Sequence, residues 1–279
     1  VDLPFYLYDS IIDRALAEDV GTGDITTTLC IPADKRATAN VLAKSAGVVA
    51  GVDVGAAVFR KLDPDAIWET LIVDGAVVDG KRNVIARVSG NARALLTAER
   101  LALNFMQRMS GTATITRRFV DLVAGTKARI VDIRKTTPGL RVLERYAVRV
   151  AGGHNHRFGL YDAVLIKDNH IKASGGIVTA IQAARRQVPH TMKIEVETTN
   201  LDEVREALTA KADIILLDNM DLVTLKAAVD LIDGRAVTEA SGGVNEATVA
   251  SIAATGVDVI SVGALTHSAP AMDISLDFV

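Results

Sequence analysis

In the second half of the chain, one short apolar run after another ends in charge or in glycine. ARIVDI at 128–133 is followed by Arg134-Lys135, and DAVLIK at 162–167 ends in Lys167 before Asp168-Asn169-His170. MKIEVE at 192–197 closes on Glu195-Val196-Glu197, and ADIILL at 212–217 runs into Asp218-Asn219. RAVTEA at 235–240 leads to Ser241-Gly242-Gly243, and VDVISV at 257–262 to Val262-Gly263-Ala264. Any one of these reads equally well as a solvated strand end. In order, however, the signs sort: cations first, carboxylates next, and last the small residues whose backbone N–H groups let an anion approach closely. Facing one cavity, such groups suit a phosphorylated sugar with free hydroxyls, a divalent metal and a second, strongly anionic reactant. The connection between the first two runs carries Thr136-Thr137-Pro138-Gly139-Leu140-Arg141 and then Gly152-Gly153-His154-Asn155-His156-Arg157. His156 and Arg157 there read as further donors toward an anion. His-x-His without a third ligand at a telling spacing is a weak metal signal, and both histidines also read as loop surface.

These residues need elements to hold them. From residue 128 the pattern is strand, loop, helix, repeated, with helical spacing near Arg141 to Val150, Gly176 to Val188, Leu201 to Ala210, Leu222 to Ile232 and Glu246 to Ala254. Buried strands alternating with amphipathic helices predict an α/β domain whose parallel sheet is closed, or nearly closed, into a β/α barrel; an open doubly wound sheet is the runner-up. In a barrel the C-terminal strand ends converge on one mouth, where the charged residues then meet. The first half reads differently. A helix near Asp9 to Asp19 ends at Gly21-Thr22-Gly23, and short Val, Ile and Ala-rich runs at 36–44, 67–73 and 83–88 predict a small sheet with turns. Asn91 caps a following helix whose stripe is Ala94, Leu95, Ala98, Leu101, Ala102, Phe105, Met106 and Met109, with Arg100, Asn104 and Arg108 off it. The last run, MDISLDF, alternates apolar and polar, so it predicts a half-exposed strand that returns to the N-terminal sheet. The expected division is an N-terminal α+β domain over 1–111, an incomplete barrel over 112–268 and the returning strand over 269–279.

Composition narrows the function classes. With 279 residues and 49% hydrophobic content, the chain can bury a sizeable core. Lys and Arg number 31 against 34 Asp and Glu, so a net charge of -3 offers nucleic acid and anionic membranes no general attraction. Cys30 stands alone, which excludes an internal disulfide and fits a reducing compartment; as a nucleophile it lies outside the charged cluster. No run approaches a membrane span, and VDLPFYLYDSIIDR lacks the form of a secretory signal, so a cytoplasmic location is expected.

The words themselves resemble a known family. Arg134-Lys135-Thr136-Thr137-Pro138-Gly139-Leu140-Arg141, Tyr146-Ala147-Val148, Gly152-Gly153 with Asn155-His156-Arg157, and Leu165-Ile166-Lys167-Asp168-Asn169-His170 are similar, in this order, to the quinolinate phosphoribosyltransferase family. So are Glu18-Asp19 with Gly21-Thr22-Gly23-Asp24, Thr97-Ala98-Glu99-Arg100, Leu217-Asp218-Asn219 and Val262-Gly263-Ala264-Leu265-Thr266. The resemblance implies the type II phosphoribosyltransferase fold, in a homodimer with sites at the subunit interface and with any further homo-oligomer left open. The implied reaction moves phosphoribosyl from phosphoribosyl pyrophosphate (PRPP) to quinolinate with decarboxylation, giving nicotinate mononucleotide, pyrophosphate and CO2 for NAD biosynthesis. By matching position it makes Arg134, Lys135, His156, Arg157 and Lys167 the quinolinate cations, with Arg100 reaching a neighbouring subunit's site. Lys135, Lys167, Glu197 and Asp218 are the implied catalytic group. Glu197 and Asp218 would face the ribose hydroxyls and Mg2+, itself carried chiefly by PRPP. Ser241, Gly242, Gly243, Val262, Gly263 and Ala264 would hold the 5′-phosphate. Two positions depart: Ile133 where the family usually has Thr, and Ala151 in place of the first of three glycines.

Three other readings remain open on the residues alone. Lys167 at a strand end suits a Schiff-base aldolase. A phosphosugar-binding protein could keep the pocket without chemistry, and a phosphoribosyltransferase could use another acceptor base.

Overall fold

The computed structural model describes residues 2–279, and they divide into two units. The first holds the chain up to Arg117, then Thr136–Gly152 and Leu265–Val279; the second holds Arg118–Lys135 and Gly153–Ala264.

In the first unit, α1 (Asp9–Val20) and α2 (Ile25–Cys30) lead into β1 (Arg36–Ala43) and β2 (Ala46–Val48). Asp24 caps α2 by accepting the Thr27 N–H at 2.9 Å. Then come α3 (Val52–Leu62), β3 (Ile67–Thr70), β4 (Val77–Asp79), β5 (Asn83–Asn91) and the long α4 (Ala92–Leu122). The helix α3 falls where turns were expected: VDVGAAVFRKL buries Val52, Val54, Val58 and Phe59 at helical spacing. Asn91 does cap α4, its Oδ1 accepting from the N–H groups of Arg93 and Ala94 at 3.0 and 3.2 Å. The stripe from Ala94 to Met109 is buried as expected apart from the half-buried Ala94 itself, while Arg100, Asn104 and Arg108 are exposed. Each large apolar side chain so buried contributes about 1.5–3 kcal/mol. The expected division at 111/112 falls inside α4, whose 31 residues run through it without a break.

The second unit contains β6 (Arg129–Val131), and after α5 (Arg141–Val150) continues with β7 (Val164–Ile166), α6 (Asp168–Ser174), α7 (Ile177–Arg185) and β8 (Ile194–Thr198). It goes on through α8 (Leu201–Thr209), β9 (Ile214–Asp218), α9 (Leu222–Ile232), β10 (Val237–Ser241), α10 (Val249–Ala254) and β11 (Val259–Ser261). Every strand expected there is present. They form one parallel sheet in the order β6-β11-β10-β9-β8-β7, whose first and last strands are not paired, so the barrel is incomplete. Along β8, Glu195 and Glu197 share one face; the register carries that face to Leu216 and Asp218 on β9 and to Glu239 and Ser241 on β10. The opposite face, with Ile194, Val196, Ile215 and Leu217, is buried.

One helix expected beside the barrel strands packs against the first unit's core. α5 has the predicted bounds, but it groups with the first unit, where Leu143, Ala147 and Ala151 lie in the core beside α4 residues. Ala151 there is fully buried, so its methyl fills core space that glycine would leave empty. Nothing in the structure accounts for Ile133.

After α11 (Ala264–His267), the last strand β12 (Ile274–Phe278) returns to the first unit and pairs antiparallel with β1, completing a sheet ordered β12-β1-β5-β3; β2 and β4 form a separate pair. The return depends on one glycine: a Cβ on Gly111 of α4 would overlap the carbonyl oxygen of Pro270. That carbonyl is backbone and has no rotamer to escape into. Gly111→Ala is therefore expected to destabilise the protein by about 1–3 kcal/mol, read as a lower melting temperature in circular dichroism. An unchanged melting temperature would refute this close approach.

Candidate active site

β6, β7, β8, β9 and β10 carry the candidate residues at or just beyond their C-terminal ends. Lys167, at the end of β7, points its Nζ to within 3.1 Å of Glu197 Oε2 on β8. Its backbone is set by His170, whose Nδ1 accepts the Lys167 N–H at 3.0 Å. Half of the Lys167 side chain is exposed, so this pair can open to an anionic ligand at small cost. Asp218, closing β9, accepts from Asn219 Nδ2 at 2.7 Å. Asn219 sits at φ +52°, and its N–H donates to Ser241 O at 2.9 Å, tying the end of β9 to that of β10. Gly242 follows at φ +93° and Gly243 at +61°. A Cβ on Gly242 would collide with the Asn219 side-chain amide, so this turn admits only glycine in its present form. Val262 is buried and gives its N–H to Val131 O at 3.0 Å, so neither its side chain nor its N–H is open to a phosphate.

Arg134 and Lys135 follow β6, Arg134 half-buried and Lys135 exposed. The segment from Gly153 to Arg157 lies along β6. His154 donates its N–H to Ile130 O at 2.8 Å and accepts the Asp132 N–H at 3.1 Å, a parallel bridge that extends the sheet; it is not the loop-surface histidine the sequence allowed. The next residues hang on Asp132, which is fully buried: its carboxylate accepts Asn155 Nδ2 at 2.6 Å and the His156 N–H at 2.9 Å. Arg157 donates from a guanidinium nitrogen to Ala163 O at 3.0 Å. Burial, then the nearby positive charge of Arg134, works against the Arg157 cation, and Glu195 and Asp162 support it.

The imidazole of His156 lies between two acids that the sequence reading had left as strand ends. Its Nε2 is 3.2 Å from Glu195 Oε2 on β8 and 3.5 Å from Glu239 Oε1 on β10. Burial opposes a charge on His156, but the adjacent acids Glu195 and Glu239 outweigh it and push the pKa up to about 10. Burial and the charge of Glu239 likewise raise Glu195, against the pull of His156 and Arg157. Both shifts express one fact: the cluster retains a proton that exposed groups would release. The Arg157 N–H donates to His156 Nδ1 at 2.7 Å, so that nitrogen offers a lone pair and the retained proton sits elsewhere in the cluster.

His156, Glu195 and Glu239 also place three possible metal-ligand atoms within 4.8 Å of one another. A ligating imidazole presents its lone pair to the metal and donates N–H from the other nitrogen; His156 has the reverse arrangement. Glu197 and Asp218, on adjacent strands and neither fully buried, are the better fit to a hard divalent cation, which binds through one or two carboxylates and keeps its other positions for water and phosphate.

Arg100 lies on the exposed face of α4 in the first unit. That unit also holds the loop after Lys135: Glu144, 4% exposed on α5, accepts the Thr137 N–H at 3.1 Å, and Arg141 Nε donates to Thr136 Oγ1 at 2.9 Å.

Comparison with known proteins gives a consistent picture. Residues 24–110 match the N-terminal domain of quinolinate phosphoribosyl transferase and residues 112–277 its C-terminal domain. The probable nicotinate-nucleotide pyrophosphorylase (carboxylating) of Synechocystis is 45% identical, over 99% of this chain and 94% of its own. The chloroplastic nicotinate-nucleotide pyrophosphorylase (carboxylating) of Arabidopsis thaliana is 47% identical, over 98% of this chain and 83% of its own. The solved nicotinate-nucleotide pyrophosphorylase of Francisella tularensis superposes with a TM-score of 0.95 at 41% identity, covering 100% of this chain and 98% of that one.

The Gly242 turn yields a prediction. Gly242→Ala adds backbone strain of about 1–3 kcal/mol and displaces Asn219. It is expected to raise the KM for a phosphorylated substrate about tenfold or more. Steady-state kinetics with an unchanged KM would detach this turn from phosphate binding.

Proposed function

The chain belongs to the quinolinate phosphoribosyltransferase family, and on that premise we infer how its barrel mouth performs the reaction. The enzyme transfers phosphoribosyl from PRPP to quinolinate with loss of CO2, forming nicotinate mononucleotide and pyrophosphate, a step of de novo NAD biosynthesis. The observation that supports our assignment of roles is the convergence of cations and carboxylates on one sheet end: Lys167 against Glu197, and Arg157 within the field of Arg134 and Glu195.

On this reading Arg134, Lys135, Arg157 and Lys167 make the positive side of the pocket and neutralise the two adjacent carboxylates of quinolinate, while His156, its imidazole nitrogens taken up within the protein, stands behind Arg157. Charge-assisted hydrogen bonds hold the ring so that its nitrogen faces ribose C1. The glycine turns after β10 and β11 take the 5′-phosphate. As the bond from C1 to pyrophosphate breaks, positive charge grows on the sugar, and Glu197 and Asp218 stabilise it. Mg2+ bound with PRPP, held by the same two carboxylates, would neutralise the departing pyrophosphate. The ring nitrogen closes its bond to C1 and becomes cationic. The bond from the ring to the neighbouring carboxylate then breaks; its electron pair stays on the ring carbon beside that nitrogen, CO2 leaves, and a proton from solvent fills the position. No further cofactor is needed for this step.

Arg100, exposed on α4, is proposed to complete the pocket of a neighbouring subunit in a homodimer. No helix among the described residues is long and apolar enough to cross a membrane, and a cytoplasmic enzyme is the proposed setting.

The test is pyrophosphate release from PRPP with quinolinate, with nicotinate or with no acceptor. Release is expected only with quinolinate; equal release with nicotinate would reassign the acceptor. Removing a cation that a bound carboxylate desolvates costs about 2–5 kcal/mol, so Arg157→Ala and Lys167→Ala are each expected to lower kcat/KM by about 30-fold to several thousand-fold with the fold intact. Near-normal kinetics would remove either residue from the site. Glu197→Ala and Asp218→Ala are expected to weaken the response to Mg2+ and PRPP, and titrations matching the parent enzyme would count against both.

A further inference from the structure

The residues between Asn155 and Arg157 belong to no helix or strand, so side-chain bonds must hold what backbone ladders do not. Asp132 fixes the Asn155 side chain and the His156 N–H. His156 Nδ1 then accepts the Arg157 N–H at 2.7 Å, and His156 Nε2 meets Glu195 at 3.2 Å and Glu239 at 3.5 Å. Both ring nitrogens are thereby spoken for within the protein. The ring is better placed to hold its neighbour than to reach a substrate.

Glu195 and Glu239 are 3% and 4% exposed. Burying a carboxylate costs several kcal/mol, and one acceptor would satisfy a purely structural histidine. The two acids project from β8 and β10 on one face of the sheet, with β9 between them. In a barrel, side chains from alternate strands form one packed layer, which is a rigid mount. We propose that Glu195 and Glu239 are positioning residues of the quinolinate pocket: they clamp the imidazole of His156, and through it the backbone of Arg157, so that the Arg157 guanidinium is held for a substrate carboxylate. This rests on the reading of Arg157 as a quinolinate cation. It gives the two acids no contact with substrate, and it makes His156 the link between them and the residue that has one.

The measurement is kcat and the two KM values for the parent enzyme, E195Q, E239Q, H156A and H156A/E195Q, with each fold checked by circular dichroism. Glutamine keeps the shape and removes the charge. E195Q is expected to raise the quinolinate KM about 10- to 100-fold and E239Q about 3- to 10-fold, with the PRPP KM within about twofold of the parent. Because the acids act through the ring, H156A/E195Q is expected to lie within about threefold of H156A alone. A quinolinate KM unchanged in both glutamine variants overturns the clamp. So does an equal rise in both KM values, which is general loosening, and so does full additivity in the double variant. If E195Q does not fold, E239Q decides alone: its split between the two KM values supports the clamp, and its absence overturns it. Failure of the parent enzyme to release pyrophosphate with quinolinate would overturn the reaction itself, and that result is separate because it precedes any variant.

Discussion

Like charges crowded at one end of a sheet repel, and the fold meets that constraint with buried acids. Arg134 makes the charge on Arg157 more costly, and Glu195 offsets part of that cost. Asp132, Glu195 and Glu239 are at most 4% exposed; Asp132 directly follows β6, and the two glutamates lie on β8 and β10. In water this arrangement would count for little. In a desolvated site, where effective dielectric constants fall well below that of water, fixed acids decide whether cations stay in place before any substrate arrives.

A second constraint operates at the other side of the mouth, where on the proposed roles an anion is met by backbone. Asn219 in the left-handed region, its N–H bonded to Ser241 O, brings its side chain against Gly242. The Asp218 carboxylate and the glycine turn are therefore parts of one local arrangement spanning β9 and β10. A change in the turn is transmitted to the carboxylate through Asn219, so on the proposed roles ribose and phosphate recognition are mechanically linked at this point.

Much of this was legible in the sequence because strand ends announce themselves. An apolar run that stops at Arg134-Lys135 or at Asp218-Asn219 marks both the strand and the mouth, and MDISLDF alternated cleanly enough to identify β12. Glu195 and Glu239 were harder. Each lies inside its run, not after it, and a polar residue on the inward face of a barrel strand looks in one dimension like the exposed face of a half-solvated one; the partner that makes it buried, His156, is decades of residues away. The inward spacing of Glu195 to Glu197 and of Glu239 to Ser241 was the available signal. α3 was missed because VDVGAAVFRKL is short and β-branched, and its helical period competes with strand propensity. α5 was found, but not that its apolar face packs into the first unit's core, since amphipathicity says that a face is buried and not what buries it.

The reaction itself limits how the cations can be distributed. A carboxylate that departs as CO2 must give up its negative charge, so an ion pair to that group stabilises the ground state more than the transition state and slows the loss. A carboxylate that stays gains nothing from being released and is the right one to grip. Efficient turnover thus favours an uneven pocket, with a rigid, half-buried cation on the retained group and a mobile, solvated one beside the leaving group. On the proposed roles the protein has both kinds: Arg157, bonded to Ala163 O and held through His156, and Lys167, half exposed and already shared with Glu197. Glu197 can take back the Lys167 ammonium as the substrate's negative charge disappears, so the cation is never left unpaired while CO2 forms.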